Sequence, residues 1–225
     1  MRTTDLKVLR KFPKHREQLG ILERSPLKGS ELFFRKLMRT PLKLIGKVSK
    51  KSSIEDVQYI LEKGIPKELQ TDPFYRHWVA DMSQVSETFC HTLRDDAIGF
   101  CISTKRGCLR YHIDNVPMRL LVTYAGQGTE WLPEEAVDRK KPLNGATNRE
   151  AIKHPATHQF INCWDIAIFH GGPNGLLHRT PDSALNGPSL LLRLDPVSFW
   201  DNILIEQGNN FIQNKNVYYN DSTNS

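Results

Sequence analysis

The amino-acid sequence predicts a mainly β fold with flanking helices, that is, a mixed α+β class. Residues 97–196 contain short apolar runs separated by Gly, Pro, Asn and charged residues, which is typical of strands and their turns. Residues 53–93 instead place apolar side chains at helical spacing. With 225 residues, 39% of them hydrophobic and 25% charged, the chain is long enough for a packed core. We therefore expect N-terminal helices that pack on one sheet of a β body.

The net positive charge of the chain is concentrated in its first 52 residues, and we expect a basic N-terminal arm over residues 1–52. Residues 1–50 hold 14 Lys and Arg against 4 Asp and Glu, whereas the remaining residues hold 17 against 21. Apolar residues between 32 and 38 fall at helical spacing until Pro41 breaks the pattern. Such a segment either binds an anionic partner, a membrane surface or nucleic acid, or packs on the body with its charges in water.

Two helices are predicted before the strands begin. The first starts near Ser53, with acidic residues in its first turn, and ends at Gly64. The second starts at Asp72-Pro73, because Asp is a good N-cap and Pro fits the first helical position. Its apolar residues keep one face as far as Leu93, so this helix is expected to cover one sheet.

A series of strands follows the second helix. Residues 133–155 interrupt the series with a polar, irregular stretch, which is expected to be either a substrate-recognition loop or a solvated insertion. The predicted strands span residues 97–104, 108–114, 119–124, 130–132, 157–163, 166–169, 176–179 and 189–195.

The second of these strands contains the first candidate metal ligands. Successive side chains of a strand point to opposite faces, so His112 and Asp114 share a face. An imidazole and a carboxylate on one face are two-thirds of a 2-His-1-carboxylate triad, which holds Fe(II) and leaves positions open. The third ligand is expected from a later strand. We predict His178, and His170 is the alternative.

The order of these residues resembles the Fe(II)/2-oxoglutarate-dependent dioxygenases, a double-stranded β-helix (jelly-roll, cupin-like) superfamily. Its members show His-x-Asp, a distal His and then a basic residue, which match His112-x-Asp114, His178 and Arg193 here. The resemblance covers roughly residues 97–196. It implies a double-stranded β-helix catalytic domain, which with its supporting helices we place at residues 53–206, followed by a polar tail at residues 207–225.

The chain also resembles an uncharacterised bacterial domain family of unknown function. Members share an aromatic-His-x-Asp motif, an Arg-Leu-Leu strand, a Gly-Thr-Glu-Trp-Leu turn and a late His-Arg-Ser/Thr-Pro motif. The corresponding residues here begin at Tyr111, Arg119, Gly128 and His178. This second resemblance supports the fold rather than a particular reaction.

The dioxygenase resemblance implies a hydroxylase-type oxygenase with Fe(II) and 2-oxoglutarate as cofactors, acting on an unidentified substrate. Arg193 would pair with the distal carboxylate of 2-oxoglutarate. Arg119, Thr123 and Tyr124 are further candidates for cosubstrate contacts.

One position departs from the superfamily pattern. Asp195 stands where many members have Ser or Thr, and an ionised carboxylate repels another. Either Asp195 turns away and pairs with an arginine, or the pocket does not hold 2-oxoglutarate in the usual pose. The alternative function is therefore a cupin-type metal-binding protein, with Zn or another divalent metal at the same three ligands.

The remaining composition bears on compartment. Four Cys without a Cys-x-x-Cys pair fit a reducing environment rather than a disulfide scaffold. We expect no secretory signal and no transmembrane segment, because no apolar run reaches 18 residues. The expected location is cytoplasmic.

Overall fold

The computed structural model describes residues 1–139, 147–153 and 158–200. Its helices and strands alternate irregularly along the chain, and short 3-10 turns lie at Phe12–Lys14 and Glu134–Ala136. The helices are α1 (Leu6–Leu9), α2 (Ser30–Leu37), α3 (Ser53–Glu62), α4 (Lys67–Gln70), α5 (Pro73–Leu93), α6 (Asn148–Ala151) and α7 (Asp182–Asn186). The strands are β1 (Arg2–Thr3), β2 (Leu19–Leu22), β3 (Lys43–Ser49), β4 (Ala97–Ser103), β5 (Met118–Ala125), β6 (Glu130–Leu132), β7 (Gln159–Phe160), β8 (Ile166–His170), β9 (Leu177–Arg179) and β10 (Leu190–Pro196).

The strands form a large sheet and a small one. The large sheet has seven strands in the order β1-β2-β8-β5-β10-β4-β3, and the small sheet has the order β7-β6-β9. Every pair is antiparallel except β1 with β2. The predicted mixed α+β class is confirmed. The last strand, β10, lies between β5 and β4, so it is central in the sheet although it comes late in the chain.

Helix α5 packs on one face of the large sheet and forms the main core with it. It begins where predicted, because the Asp72 side chain accepts a hydrogen bond from the backbone N–H of Phe74 and Pro73 occupies the first turn. The helix buries one apolar face against alternate residues of the two central strands. The residues of this interface include Trp78, Met82, Phe89, Leu120, Val122, Tyr124, Leu190, Leu192 and Leu194.

The N-terminal segment packs on the body, which is the second of the two alternatives for it. Residues 1–52 supply β1, β2 and β3 to the large sheet, and α2 to the main core. Strand β3 pairs with β4 along its whole length, with Leu44 and Val48 buried and Lys43 and Lys47 exposed. This period-2 burial lets a basic segment form a sheet edge while its charges stay in water.

Two other predicted segments lie partly or wholly outside the described residues. The tail at residues 207–225 is outside them, and so are residues 140–146 and 154–155 of the polar loop. Its described parts approach each other through a bridge between Val137 and Ile152. None of the helices in the described ranges is long and apolar enough to cross a membrane.

The second face of the large sheet lies against the small sheet. A smaller apolar cluster fills this space, with Leu121, Phe169 and Ile161 among its members and Trp131 packed against it. Alternation along β5 and β10 also directs Arg119 and Arg193 to this face, opposite the residues of the main core. The candidate site lies on this second face.

Candidate metal centre

The three predicted metal ligands lie together. One ligating atom from each of His112, Asp114 and His178 lies within 4.8 Å of the others. The backbone holds the two histidines side by side, because each donates its N–H to the other's carbonyl, at 3.0 and 3.1 Å. Asp114 follows two residues after His112 and lies beside it, although the predicted strand at residues 108–114 is reduced to the single bridge at His112.

Both imidazole rings are oriented by hydrogen bonds through Nδ1. The Nδ1 of His112 lies 3.0 Å from the carbonyl of Arg110, and the Nδ1 of His178 lies 3.1 Å from the carbonyl of Leu176. A carbonyl only accepts, so each Nδ1 carries the proton and a neutral ring presents the lone pair of Nε2. These Nε2 atoms lie 3.5 and 3.4 Å from the two carboxylate oxygens of Asp114. Metal-ligating histidines in proteins are held in this way.

The carboxylate of Asp114 is the third group. It is 7% exposed, and its Oδ1 forms an ion pair with the Nη1 of Arg119. Its Oδ2 is buried without a hydrogen-bond donor among the described residues. Adjacent ligands at about 2.1 Å from a metal lie about 3 Å apart, so these spacings need only a small contraction around an ion. A buried, unsatisfied anionic oxygen beside two Nε2 atoms fits a divalent cation.

Burial and the neighbouring charged groups together determine which side chains of this cluster are protonated. Burial lowers the pKa of His178 to about 4, although Asp114 opposes the shift. Burial also acts to lower the pKa of His112, but hydrogen bonds to Asp114 and Cys108 outweigh it and raise that pKa to about 10. The pKa of Asp114 falls well below its usual range, because its histidine and arginine partners outweigh burial. At neutral pH the ion-free cluster therefore holds a protonated His112, a neutral His178 and an ionised Asp114.

Asp195 is fully buried and pairs with the two predicted arginines. Its Oδ1 accepts a hydrogen bond from the Nε of Arg119 at 2.5 Å. Its Oδ2 lies 3.0 Å from the Nε of Arg193, an ion pair without hydrogen-bond geometry. Arg119 therefore bridges Asp114 and Asp195. Of the two alternatives for Asp195, pairing with an arginine is the one that the structure displays.

Aromatic side chains cover the guanidinium of Arg193. The ring centre of Trp200 lies 4.7 Å from its Cζ, and that of Phe199 lies 5.6 Å away. The indole is accommodated because Gly99 of β4 has no side chain, and a Cβ there would lie 1.8 Å from the Cδ1 of Trp200. Arg193 is thus held by a carboxylate and by cation–π contacts.

The other predicted residues divide between the two faces of the large sheet. Thr123 is buried and lies on the same face of β5 as Arg119, because an even number of positions separates the two residues. Tyr124 is on the opposite face, in the main core, where its hydroxyl donates to Asp81 at 2.7 Å. The expectation that Tyr124 contacts the cosubstrate is therefore corrected, because adjacent residues of a strand cannot share a face.

The alternative third ligand, His170, is not part of the cluster. Its ring stacks on Phe12, with ring centres 4.7 Å apart. The preceding residue, Phe169, points the other way and packs on the ring of His178 at 4.7 Å. Strand alternation therefore separates the two histidines.

Two residues near the cluster are not among the predicted site residues, although Cys108 was expected on the same strand face as His112, as a small buried thiol. Cys108 is exposed, has a positive φ of 63° and precedes His112 by four residues. Arg106 donates to Ser189 at 3.2 Å and to Thr129 at 3.1 Å. Both lie in an irregular segment before His112, and the contacts of Arg106 join residues 83 and 23 positions away. No local pattern in the sequence indicates such contacts.

The chain belongs to the protein family described as "Protein of unknown function (DUF1826)", whose model matches residues 3–195. This agrees with the resemblance to a domain family of unknown function. No curated protein matches the chain.

Several solved structures are similar to the chain. The Fe(II)/α-ketoglutarate-dependent dioxygenase TqaL is 10% identical, with a TM-score of 0.46 over 84% of this chain and 85% of that one. A bsmA homolog from Methylobium petroleophilum PM1 is 10% identical, with a TM-score of 0.41 over 86% and 92%. HygX from Streptomyces hygroscopicus is 14% identical, with a TM-score of 0.34 over 77% and 88%.

Proposed function

We propose that the chain is a non-haem Fe(II)/2-oxoglutarate-dependent oxygenase of the hydroxylase type, acting on an unidentified substrate. The observation that carries the proposal is the convergence of the two Nε2 atoms with the buried, unsatisfied oxygen of Asp114. Two imidazoles and one carboxylate on one side of an ion are the ligands of non-haem Fe(II) oxygenases.

The topology supports a double-stranded β-helix for the catalytic domain. The strands β4, β10, β5 and β8 are consecutive in the large sheet, and β7, β6 and β9 form the small sheet. The segment of His112 extends the small sheet beside β9 through its bridge to His178. Two facing four-stranded layers with this late central strand are the arrangement of a jelly roll. In this proposal β1, β2 and β3 extend the large sheet at its edges.

The residues around the proposed Fe(II) site have distinct roles. His112, Asp114 and His178 would hold the ion, and bound Fe(II) would supply the oxidative decarboxylation of 2-oxoglutarate coupled to substrate hydroxylation. Arg119 keeps Asp114 ionised and fixes its orientation through their ion pair. Phe169 packs on one side of the His178 ring and keeps water from it. These contacts fix the ligands before an ion binds.

The 2-oxoglutarate part of the proposal is supported by the sequence resemblance and by the polar groups on the same face of the sheet. Thr123 and Arg193 both point to that face. For Arg193 to receive a carboxylate, its ion pair with Asp195 must open and the ring of Trp200 must move.

A specific observation favours the alternative, a cupin-type metal protein that binds Zn or another divalent ion without 2-oxoglutarate. Asp195 already neutralises Arg193 and shares Arg119 with Asp114. A fully buried carboxylate in this position would repel the distal carboxylate of a cosubstrate. The three ligands suit zinc as well as iron.

The test is an anaerobic titration of Fe(II)-loaded protein with 2-oxoglutarate, followed by the visible charge-transfer absorption of the chelate. We expect a saturable band in the wild-type protein and none in the Zn(II)-loaded protein, which serves as the control. Fe(II) binding without a band would reject the oxygenase and leave the metal protein.

A further inference from the structure

Arg106 is a partly buried guanidinium that lacks a carboxylate partner. Its Nη1 and Nη2 donate to the hydroxyls of Ser189 and Thr129, which are 1% and 2% exposed. Among the described residues, no Asp or Glu lies within ion-pair distance of it. Burial lowers the pKa of Arg106 to about 10. A cation removed from water with only neutral partners is costly, and an anion beside it would offset that cost.

The two arginines that were predicted to contact the cosubstrate, Arg119 and Arg193, differ in this respect. Arg119 is held by Asp114 and Asp195, and Arg193 is held by Asp195 and two aromatic rings. Their charges are already compensated by the protein. Of these three arginines, Arg106 is the one without a carboxylate among the described residues, and it still has N–H groups to donate after bonding the two hydroxyls.

Arg106 lies on the same side of the small sheet as the metal ligands. Trp131 pairs with His178 across β6 and β9, so their side chains share a face. Thr129, which accepts from Arg106, shares that face because it precedes Trp131 by two residues. The backbone links the two groups, because the carbonyl of Cys108, two residues after Arg106, accepts a hydrogen bond from the N–H of Thr180, two residues after His178, at 3.1 Å.

The spacing matches a short dicarboxylic acid. Residues two positions apart in a strand are about 7 Å apart, and this is therefore the separation along the small sheet between Thr129 and the pair formed by Trp131 and His178. A five-carbon chain with C–C bonds of about 1.5 Å spans about 5 Å between its end carbons. An acid bound at the ion could therefore reach Arg106 with its far carboxylate. The buried indole N–H of Trp131, the residue that pairs with His178, lacks a hydrogen-bond acceptor among the described residues.

We propose that Arg106, with the hydroxyls of Ser189 and Thr129, receives the distal carboxylate of the cosubstrate, and that Arg193 does not. The inference rests on the proposed 2-oxoglutarate function. It assigns the acid-binding role to the segment between β4 and His112 rather than to β10. Arg193 is then a structural partner of Asp195 and Trp200.

The experiment measures how well the Fe(II) protein distinguishes 2-oxoglutarate from 2-oxopentanoate, in which a methyl group replaces the distal carboxylate. Both acids chelate through the same keto-acid end, so the ratio of their dissociation constants isolates the distal contact. We expect the wild type to prefer 2-oxoglutarate by roughly 10- to 100-fold, the range for a charge-assisted contact. Arg106→Gln should bring the ratio close to one, and Arg193→Gln should retain the preference.

Two further variants guard against misfolding and against a general charge effect. Arg106→Lys keeps the charge but cannot bond both hydroxyls, so an intermediate ratio is expected. Lys105→Gln removes one charge from the exposed neighbouring residue and should retain the wild-type ratio. Each variant is first shown to bind one Fe(II) per chain, which confirms that the cluster is folded.

The outcomes separate this inference from the proposed function. If Arg193→Gln abolishes the preference and Arg106→Gln retains it, the inference is overturned and the oxygenase proposal stands. If the wild type binds both acids equally, the assignment of Arg106 is likewise overturned. If neither acid gives a band with the wild type, both proposals fail.

Discussion

The two faces of strand β5 differ in the interactions that hold them. Leu120, Val122 and Tyr124 point into an apolar core under helix α5. Arg119 and Thr123 point to the other face, where buried charges compensate one another around Asp114. The first face contributes stability through packing. The second face keeps charged groups out of water, at an energetic cost, and so resembles a site prepared for a ligand.

Removing a large aromatic side chain from the packed face should have the largest effect on folding. Trp78 is fully buried and contacts the rings of Phe33, Phe34 and Tyr124. Trp78→Ala should lower the free energy of unfolding by about 3–5 kcal/mol, as cavities in aromatic cores do. Urea unfolding of the metal-free protein measures this. Metal affinity of the folded protein should be unchanged, and a parallel loss of metal affinity would contradict the division between the faces.

Neutralising the carboxylate of Asp114 should have the opposite effect, a large loss of metal affinity rather than a large loss of folding stability. Asp114→Asn retains the shape of the side chain but removes the charge that an ion needs. Metal affinity should fall by at least about a hundredfold, because losses of outer-shell partners alone cost about 10- to 100-fold. Competition with a chelating dye measures the affinity. Asp182→Asn, at an exposed residue paired with Arg179, is the control and should bind metal as the wild type does.

The pH dependence of metal binding should reveal the raised pKa of His112. Because that pKa is about 10, the ion displaces a proton from His112 throughout the neutral range. Affinity should therefore rise about tenfold per pH unit between pH 7 and pH 9. The lowered pKa of His178 adds nothing in this range, because that ring is already neutral. An affinity that levels off above pH 7.5 would show that His112 has an ordinary pKa.

The smallest effects should come from two adjacent residues of β5. Tyr124→Phe removes a hydrogen bond to Asp81 and should lower the free energy of unfolding by about 1–2 kcal/mol. It should not change 2-oxoglutarate binding. Thr123→Val should leave stability nearly unchanged and weaken 2-oxoglutarate by a few-fold. Unfolding curves measure the stability and the charge-transfer titration measures 2-oxoglutarate binding. The reverse pattern of effects would show that the two residues are assigned to the wrong faces.

Local patterns in the sequence predicted the structural features that depend on residues close together in the chain. The cap at Asp72-Pro73 and the apolar periodicity after it predicted α5 to within a residue. Alternation placed His112 and Asp114 on one side, where the structure has them. The same rule, applied to Thr123 and Tyr124, would have removed Tyr124 from the candidate site.

The features that the sequence left open depend on interactions between distant residues. Residues 43–49 alternate Lys with apolar residues, which suits a sheet edge as well as a basic arm, and only the partner β4 decides between them. The role of Asp195 depended on Arg119, 76 positions away. Arg106 has no periodic or motif signal at all, since its partners Ser189 and Thr129 are brought to it by the fold.

The most direct test of the metal centre compares two histidines that are eight residues apart. Co(II) titration, followed by visible absorption, gives the stoichiometry and affinity of the wild type, His178→Ala and His170→Ala. His178 lies in the cluster, whereas His170 stacks on Phe12 on the other face. We predict one Co(II) per chain for the wild type and His170→Ala, and no binding by His178→Ala at the same concentrations. Unchanged binding by His178→Ala would contradict the assignment of the metal centre.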